Sequence, residues 1–459
     1  MASHSHSAAD DVQSRISPTC PSSTSEILSH AWHHDVAGLK KLLDVPGKAS
    51  CQDPVTGETP LHAAIRSCGP FSPASSSTPA TTTVIASSGA TGGHEVNVED
   101  AKAAVHELFL SGAIWNDVDD HNETPGCVAW RLGRTELYNL CVEAGVRAEL
   151  LFGLLDGYEE LSSGSEEDDE GMEEEETQEN GHEAEAETEV EENGETNGAE
   201  ATEPTFQAPK TDAEQEVKSE KYLRSKLTYS DGKLVDDDGN GVMMAWETEI
   251  MRQSVDALLP NKEEGKRILN IGFGMGIIDS MFAETKPARH HIIEAHEEVL
   301  EHVSNPESTF GSTWEESAPE PGAYKIHQGR WQDIVPQLLE RGEIYDAIYF
   351  DTFGEDYGQL KMFFTEYVPG LLDQYGIFGF FNGLGADRRI CYDVYTKVVE
   401  MHLTDAGLDV DWKDIDVDLK GLEEAGKGEW EGVKRRYWTL NSKLSLLGTL
   451  YARPNLIFS

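Results

Sequence analysis

The chain has 459 residues and a formal net charge of −49 at pH 7, with 85 Asp and Glu against 36 Lys and Arg. This length exceeds the size at which a single core stops growing, so we expect two or more domains. The acidic surplus argues against direct nucleic-acid binding, which needs a basic surface, and no apolar run is long enough to span a membrane.

The first 25 residues are polar, and we predict a disordered N-terminus at 1–25. The start, Met1-Ala-Ser-His-Ser-His-Ser, has no basic segment followed by an apolar one, so secretion is not expected. The cysteines are widely spread, without a Cys-x-x-Cys pair, which is typical of reduced thiols in a cytoplasmic or nuclear protein. They are Cys20, Cys51, Cys68, Cys127, Cys141 and Cys391. We expect no metal site.

Residues 26–150 are predicted to form a small all-α domain, because apolar residues recur near the helical period. The segment Gly57-Glu-Thr59-Pro-Leu-His62-Ala-Ala64 resembles the ankyrin-repeat signature Thr-Pro-Leu-His-x-Ala, and a weaker copy lies at 122–129. The resemblance implies that Thr and His fix the turn while Pro60 starts a helix. Residues 71–93 are predicted to be a low-complexity insertion. An unspecialised helical bundle is the alternative.

Residues 155–215 are predicted to be an acidic disordered linker. Between Leu161 and Glu200 there are 18 Asp or Glu among 40 residues and no Lys or Arg. Such a segment repels itself and has too little apolar content to offset its chain entropy. It either separates two domains or attracts a basic protein substrate.

Residues 218–459 alternate strand and helix patterns, which predicts an α/β domain with a doubly wound sheet. Predicted strands lie at 267–271, 291–294, 324–328, 345–351 and 376–382. Predicted helices lie at 279–284, 334–339, 359–372 and 391–406. The last two apolar runs, 435–440 and 446–452, predict an antiparallel C-terminal hairpin at one edge of the sheet.

The first of these strands runs into a glycine turn with Gly272, Gly274 and Gly276, and Glu294 ends the next strand. A carboxylate about 20 residues beyond such a loop can accept hydrogen bonds from ribose hydroxyls. The Gly-x-Gly-x-Gly spacing differs from the Gly-x-Gly-x-x-Gly that binds a pyrophosphate, so adenosine without phosphates fits better. Glycines needed for packing alone are the alternative.

Five motifs occur in one order: 241–251 with Trp246-Glu247-Thr248, 270–277, Glu294-Ala-His296, 329–333 and 349–353. Together they resemble guanidinoacetate N-methyltransferase. With the ankyrin-like leader and the acidic linker they resemble more closely the fungal protein-arginine N5-methyltransferases, also called type IV. The resemblance implies a class I S-adenosylmethionine-dependent methyltransferase fold.

The resemblance also implies a cofactor site. The glycine loop would face the amino-acid end of S-adenosylmethionine, Glu294 its ribose, and Trp331 and Gln332 its adenine. Met251 would contact the sulfur side, and Tyr222, or less favourably Tyr229, would cover the cofactor. For Met251 and Trp331 core packing is the alternative. The full set of implied contacts is Tyr222, Met251, Gly272, Phe273, Gly274, Met275, Gly276, Ile277, Glu294, Ala295, His296, Trp331, Gln332 and Asp351.

Glu247 and Asp351 are the predicted catalytic residues. An arginine guanidinium stays protonated, so a methyltransferase must fix its planar fork and take up or displace its charge. Carboxylates do both through charge-assisted hydrogen bonds. By resemblance both acids grip the guanidinium, and Asp351, which ends a strand, is preferred as general base. An ordinary exposed acid is the alternative for each.

The sequence therefore predicts methyl transfer to the δ nitrogen of an arginine in a basic protein, by resemblance a ribosomal one, with the ankyrin-like part recruiting it. No counterpart is recognisable of the paired-glutamate hairpin of enzymes that methylate terminal nitrogens. We expect a monomer. One alternative is an enzyme for a small guanidino metabolite, which would be indifferent to deletion of residues 1–215. Another is an inactive binding scaffold.

Overall fold

The computed structural model describes residues 12–71, 98–155, 219–305, 308–386, 388–416, 420–422, 426–434, 438, 440 and 446–454. The predicted insertion at 71–93 and the predicted acidic linker at 155–215 lie outside the described residues, except for their first positions. Within the described part, no helix combines the length and the apolar character that crossing a membrane requires.

The N-terminal unit consists of helices, and the sequence sets where two of them begin. The Thr59 side chain caps the helix that starts at Pro60, and Thr124 caps the one that starts at Pro125 in the same way. The helices are α1 Val12–Arg15, α2 Ser22–Trp32, α3 Val36–Leu42, α4 Pro60–Arg66, α5 Val98–Leu110, α6 Pro125–Arg131 and α7 Thr135–Leu155.

The prediction of disorder over 1–25 is wrong for residues 12–25, while residues 1–11 lie outside the described chain. Arg15 is only 3% exposed and forms salt bridges to Glu58 at 2.9 Å and Asp119 at 3.0 Å. A buried arginine needs such partners, and they lie on the turns that precede α4 and α6. The segment is polar in composition, but the buried ion pairs of Arg15 anchor it to the helical unit.

The C-terminal unit begins with α8 Ser219–Tyr222 and a three-stranded antiparallel sheet, β1 Leu227–Ser230, β2 Lys233–Asp236 and β3 Gly241–Met244. A seven-stranded sheet follows, with the order β6-β5-β4-β7-β8-β10-β9. Its strands are β4 Arg267–Ile271, β5 Arg289–Glu294, β6 Tyr324–Gln328, β7 Tyr345–Phe350, β8 Leu372–Phe380, β9 Leu408–Asp416 and β10 Leu446–Pro454. Strands β4 to β8 pair in parallel, and β10 pairs antiparallel to β8 and β9.

Helices cover both faces of this sheet, so the predicted doubly wound α/β fold is confirmed. On β4, Ile268 packs in one apolar cluster, whereas Leu269 and Ile271 pack in another on the opposite face. This explains the continuous apolar run, because alternate residues point to opposite buried faces. The helices are α9 Thr248–Leu258, α10 Ile277–Glu284, α11 Glu297–Val303, α12 Ser312–Glu316, α13 Trp331–Glu340, α14 Tyr357–Met362, α15 Val368–Leu371 and α16 Arg389–Asp405.

The predicted hairpin is wrong in its first strand. The partner of β10 is β9, with Leu408 opposite Pro454 and Asp416 opposite Leu446. Within the predicted strand 435–440, Trp438 and Leu440 are described and are 1% and 5% exposed, in a cluster with Met244. The apolar residues of this run therefore cover the three-stranded sheet instead of extending the large one.

Candidate active site

A pocket of about 260 Å³ opens at the carboxyl ends of the parallel strands, where open α/β sheets bind their ligands. It is closed on one side by α8 and β3 and on another by the loop after β8. Nine of the predicted site residues line it: Tyr222, Glu247, Gly272, Gly274, Glu294, Ala295, Trp331, Gln332 and Asp351.

The glycine loop after β4 needs its glycines for two reasons. Gly272 has φ +92°, and a Cβ atom there would collide with the carbonyl oxygen of Asp351, directly after the neighbouring strand β7. A Cβ atom on Gly274 would lie 2.7 Å from the terminal methyl of Met243. Both glycines also line the pocket, so their backbone is open to the cavity as well as closely packed.

Glu294 ends β5 and is bonded to the glycine loop. Its Oε2 accepts hydrogen bonds from the backbone N–H groups of Phe273 at 2.9 Å and Gly274 at 3.4 Å. Its Oε1 accepts from those of Ala295 and His296, both at 2.7 Å. The carboxylate therefore sets the shape of the loop, in addition to the ribose contact predicted for it.

Met251 does not line the pocket and is fully buried in the core beneath it, as the core-packing alternative expected. Met243 lines the pocket instead, and its Sδ accepts a hydrogen bond from the backbone N–H of Met275 at 3.2 Å. The sequence contains no signal for this arrangement, because Met243 and Met251 are both apolar residues four positions from Glu247.

Four other predicted cofactor contacts stand behind the pocket wall. They are Phe273, Met275, Gly276 and Ile277, none of which lines the pocket. Phe273 packs on Phe310 with ring centroids 5.4 Å apart, and Gly276 precedes α10 with φ +68°. These residues shape the loop, whereas Gly272 and Gly274 face the cavity.

His296 also lies behind the wall, where it supports Tyr222. Its Nε2 is 3.0 Å from the backbone oxygen of Tyr222, and the two rings are 4.7 Å apart. Tyr222 packs against Phe353 on its other side and lines the pocket. Tyr229 does not line the pocket and stacks on His302 at 4.2 Å, so of the two tyrosines Tyr222 is the one that faces the cavity.

Glu355 connects the two residues predicted to face adenine. Trp331 donates its Nε1–H to the Glu355 carboxylate at 2.8 Å, and Gln332 donates from Nε2 at 3.1 Å. Sequence reasoning missed Glu355, although it lies only four residues beyond Asp351. The Oε1 atom of Gln332 is buried without a hydrogen-bond partner. An acceptor of this kind needs a donor from a ligand or from water.

The two predicted catalytic acids both line the pocket. Glu247 ends a 3-10 turn, Ala245–Glu247, is 3% exposed, and accepts a hydrogen bond from the backbone N–H of Met244 at 2.8 Å. Asp351 follows β7, and its Oδ2 is buried without a hydrogen-bond partner. Burial raises the pKa of Asp351 to about 7. A cationic donor is the partner that would best satisfy such an oxygen.

The electrostatic character of the pocket is acidic. Among the described residues that line it, the Asp and Glu side chains outnumber the basic ones. The acids are Glu247, Glu294, Asp351, Glu355 and Asp356. The one Lys or Arg among these lining residues is Arg330, which forms a salt bridge to Glu220 at 2.6 Å. Such a cavity favours a cationic ligand.

The sheet order and this pocket define a class I methyltransferase fold, in which ligands meet at the ends of β4, β5 and β7. A model of the guanidinoacetate N-methyltransferase family matches residues 215–406. A fibrillarin from Aeropyrum pernix with bound S-adenosyl-L-methionine is 13% identical, with a TM-score of 0.29 over 50% of this chain and 82% of that chain. The strand order, and not that distant likeness, carries the fold assignment.

Sequence relatives identify the family. A Neurospora crassa protein named protein arginine N-methyltransferase 2 is 65% identical over 94% of this chain and 97% of its own length. Proteins of the same name from Gibberella zeae and Aspergillus fumigatus are 61% and 46% identical, over 96% and 91% of this chain and 96% and 94% of their own lengths. The chain belongs to this protein arginine N-methyltransferase 2 family.

Proposed function

We propose that the protein transfers a methyl group from S-adenosylmethionine to an arginine side chain of a protein substrate. The observation that carries this proposal is the buried, unpartnered Oδ2 of Asp351 in an acidic pocket that Glu247 also lines. A guanidinium fork supplies donors of the kind that this Asp351 oxygen lacks, and its positive charge suits a pocket lined by two such carboxylates. The names of the relatives give the same substrate class.

The residues present fit the proposed cofactor. Gly272 and Gly274 leave room for a ligand to approach the backbone closely, and Trp331 and Tyr222 offer aromatic surface. The Oε1 atom of Gln332, which has no hydrogen-bond partner, would accept a hydrogen bond from the adenine amino group. Glu294 fixes the loop between them. When bound, S-adenosylmethionine supplies an activated methyl carbon with a neutral thioether as leaving group.

The chain's own acids would do the remaining work. Glu247 and Asp351 would orient the guanidinium so that one nitrogen lies in line with the methyl carbon. Asp351 would then accept the proton that the nitrogen loses. Because its pKa is near 7, Asp351 is deprotonated in a useful fraction at neutral pH and is still a better base than an ordinary carboxylate. Activity should therefore rise as the pH increases through 7.

Several finer properties belong to the same proposal. We infer the δ nitrogen as the methylated atom, from the resemblance to type IV enzymes. The strongly acidic chain suits a basic protein partner, and a ribosomal protein is the class that the resemblance indicates. We also propose that the protein is a monomer and that it works in the cytoplasm and the nucleus.

We also propose that the N-terminal helices are ankyrin-like repeats. In support, the Nδ1 of His62 is 2.8 Å from the Thr59 hydroxyl, and its Nε2 is 2.9 Å from the backbone oxygen of Glu123. The first Thr-Pro turn is thus tied to the second, which is the role that the repeat signature gives its Thr and His. Stacked repeats of this kind usually bind proteins.

The test uses full-length protein, labelled S-adenosylmethionine and a fungal ribosomal extract, followed by mass spectrometry of the labelled arginine. We expect δ-methylarginine in a protein band. Free guanidinoacetate is a second acceptor in the same assay, because the matching family model carries that substrate's name. Turnover of guanidinoacetate without any protein labelling would establish the small-molecule alternative. Cofactor binding without transfer to either acceptor would establish a scaffold.

A further inference from the structure

The N-terminal helical unit and the methyltransferase unit share one apolar core. Three residues of α16, Ile390, Val394 and Val398, are at most 1% exposed and pack in the same cluster as the buried residues of α4 to α7. The fit is close, because a Cβ atom on Gly145 of α7 would lie 2.6 Å from Cγ2 of Val394. This face of α16 would be exposed to water without the N-terminal unit.

Polar contacts surround the apolar contact between α16 and the N-terminal helices, which we call the joint. They fix how the two units are positioned on each other. Tyr138 donates its hydroxyl to Asp393 at 2.6 Å, and the Arg389 guanidinium lies 4.9 Å from the ring centre of Trp130. At the start of α16, Arg388 donates from Nη2 to the side-chain oxygen of Asn122 at 2.9 Å. Asn122 belongs to the turn that precedes α6, so this turn is tied to the loop that leads into α16.

The opposite side of α16 supports the pocket. Tyr392 packs in a cluster with Met244 and Ala386, which stand next to the Glu247 turn and within the loop before α16. That loop begins after β8, and its residues Gly383 and Leu384 line the pocket. Helix α16 therefore connects the N-terminal unit to two walls of the pocket, the Glu247 turn and the loop after β8.

We propose that the N-terminal helical unit positions the acceptor side of the pocket through α16. This inference rests on the proposed methyl-transfer function, and it assigns Asn122 and Tyr138 as positioning residues far along the chain from the chemistry. The cofactor side of the pocket is built differently, from the loop after β4, the end of β5 and the start of α13. Loosening the joint should therefore impair use of the acceptor and leave cofactor binding intact.

The consequence differs from that of a repeat unit that only recruits substrate. A recruiting unit matters for protein acceptors alone, whereas a positioning unit matters for any acceptor that enters the pocket. Deletion of residues 1–215 would expose Ile390 and Val394 whatever the substrate is, so that deletion does not separate the two substrate classes. Mild variants in the full-length chain are needed instead.

The test compares the double variant Asn122→Gly and Tyr138→Phe with the wild type. Asn122 has φ +57°, so glycine removes the acceptor for Arg388 without backbone strain, and phenylalanine removes only the hydroxyl of Tyr138. Asn122→Asp keeps an acceptor oxygen and is the conservative rescue. Lys102→Ala, which removes an exposed ion pair of the same unit with Glu136, is the matched control.

We expect the double variant to lose roughly fivefold or more in kcat/KM for the acceptor, the low end of what two hydrogen bonds contribute, while the cofactor Kd stays within about twofold. Asn122→Asp and Lys102→Ala should behave as the wild type. An unchanged kcat/KM, with only a lower melting temperature, would overturn the positioning role. A matching loss in cofactor affinity would overturn it as well. Failure of the methyl-transfer proposal is distinct, because the wild type would then be inactive.

Discussion

Replacement of Asp351 by asparagine isolates the general base. Asparagine keeps the shape of the side chain and one acceptor oxygen, but it cannot take up a proton. General-base catalysis typically contributes about 10²- to 10⁴-fold, so kcat should fall by that factor while the cofactor Kd changes little. Initial rates and calorimetric titration of cofactor measure the two quantities. A kcat within about threefold of the wild type would refute the role of Asp351 as base.

The pH dependence provides a second readout of the same variant. With a pKa of about 7, roughly a tenth of Asp351 is deprotonated at pH 6 and most of it at pH 8. The wild-type kcat/KM, which reports the pKa values of the free enzyme, should therefore rise about fivefold or more between these values and then level off, and the Asp351→Asn profile should be flat. An identical slope in both proteins would assign the titration to another group.

Stability should change in the opposite direction to activity. The pKa of Asp351 rises from 3.8 to about 7 on folding, so the folded state binds the proton more tightly. Protonation of Asp351 therefore contributes to the free energy of unfolding. This contribution is fully present below the unfolded pKa, is lost as the pH rises through 7, and has an upper limit of about 4 kcal/mol. If asparagine recovers about half, the Tm at pH 8 should rise by roughly 2–4 °C for a chain of this length. A lower Tm at pH 8 would contradict a buried charge.

Three further changes test the rest of the pocket. Glu247→Gln should raise the acceptor KM roughly tenfold with a smaller effect on kcat, because it removes a charge that orients the guanidinium; an unchanged KM in initial-rate assays would exclude that role. Gly272→Ala should abolish cofactor binding by calorimetry, whereas Gly265→Ala, with a similar φ of +82° and open space around it, should retain binding. Glu355→Gln should weaken cofactor binding roughly tenfold because Trp331 loses its charged acceptor, and an unchanged Kd would leave Glu355 outside the site.

Several parallel strands could be predicted from the sequence because β4 and β7 are mostly apolar, β6 has a buried apolar centre, and each of the three is followed by a glycine or an acid. Strands β4 and β6 have the predicted bounds. The C-terminal hairpin could not be predicted in the same way. Trp438 and Leu440 are residue types that are common in strands, but here they are buried against the three-stranded sheet. Tertiary packing decides this, and the local sequence pattern does not specify it.

The site was predictable where a residue ends a strand and less so elsewhere. Asp351 and Glu294 follow from their strand ends, whereas Met251 and Met243 are both apolar neighbours of Glu247 and only the fold decides which one faces the cavity. The packing of the N-terminal unit against α16 could not be predicted from the sequence either. Ile390, Val394 and Val398 repeat every four residues, which predicts a buried helix face but not the partner that buries it.

The role of the two pocket acids is tested by methyl transfer with the double variant Glu247→Gln and Asp351→Asn, with its cofactor affinity measured in the same preparation. We expect a cofactor Kd close to that of the wild type and no methylarginine above background in the mass spectrum of the protein substrate. Methylarginine formed at the wild-type rate would contradict this role, because two neutral amides would then serve as well as two carboxylates.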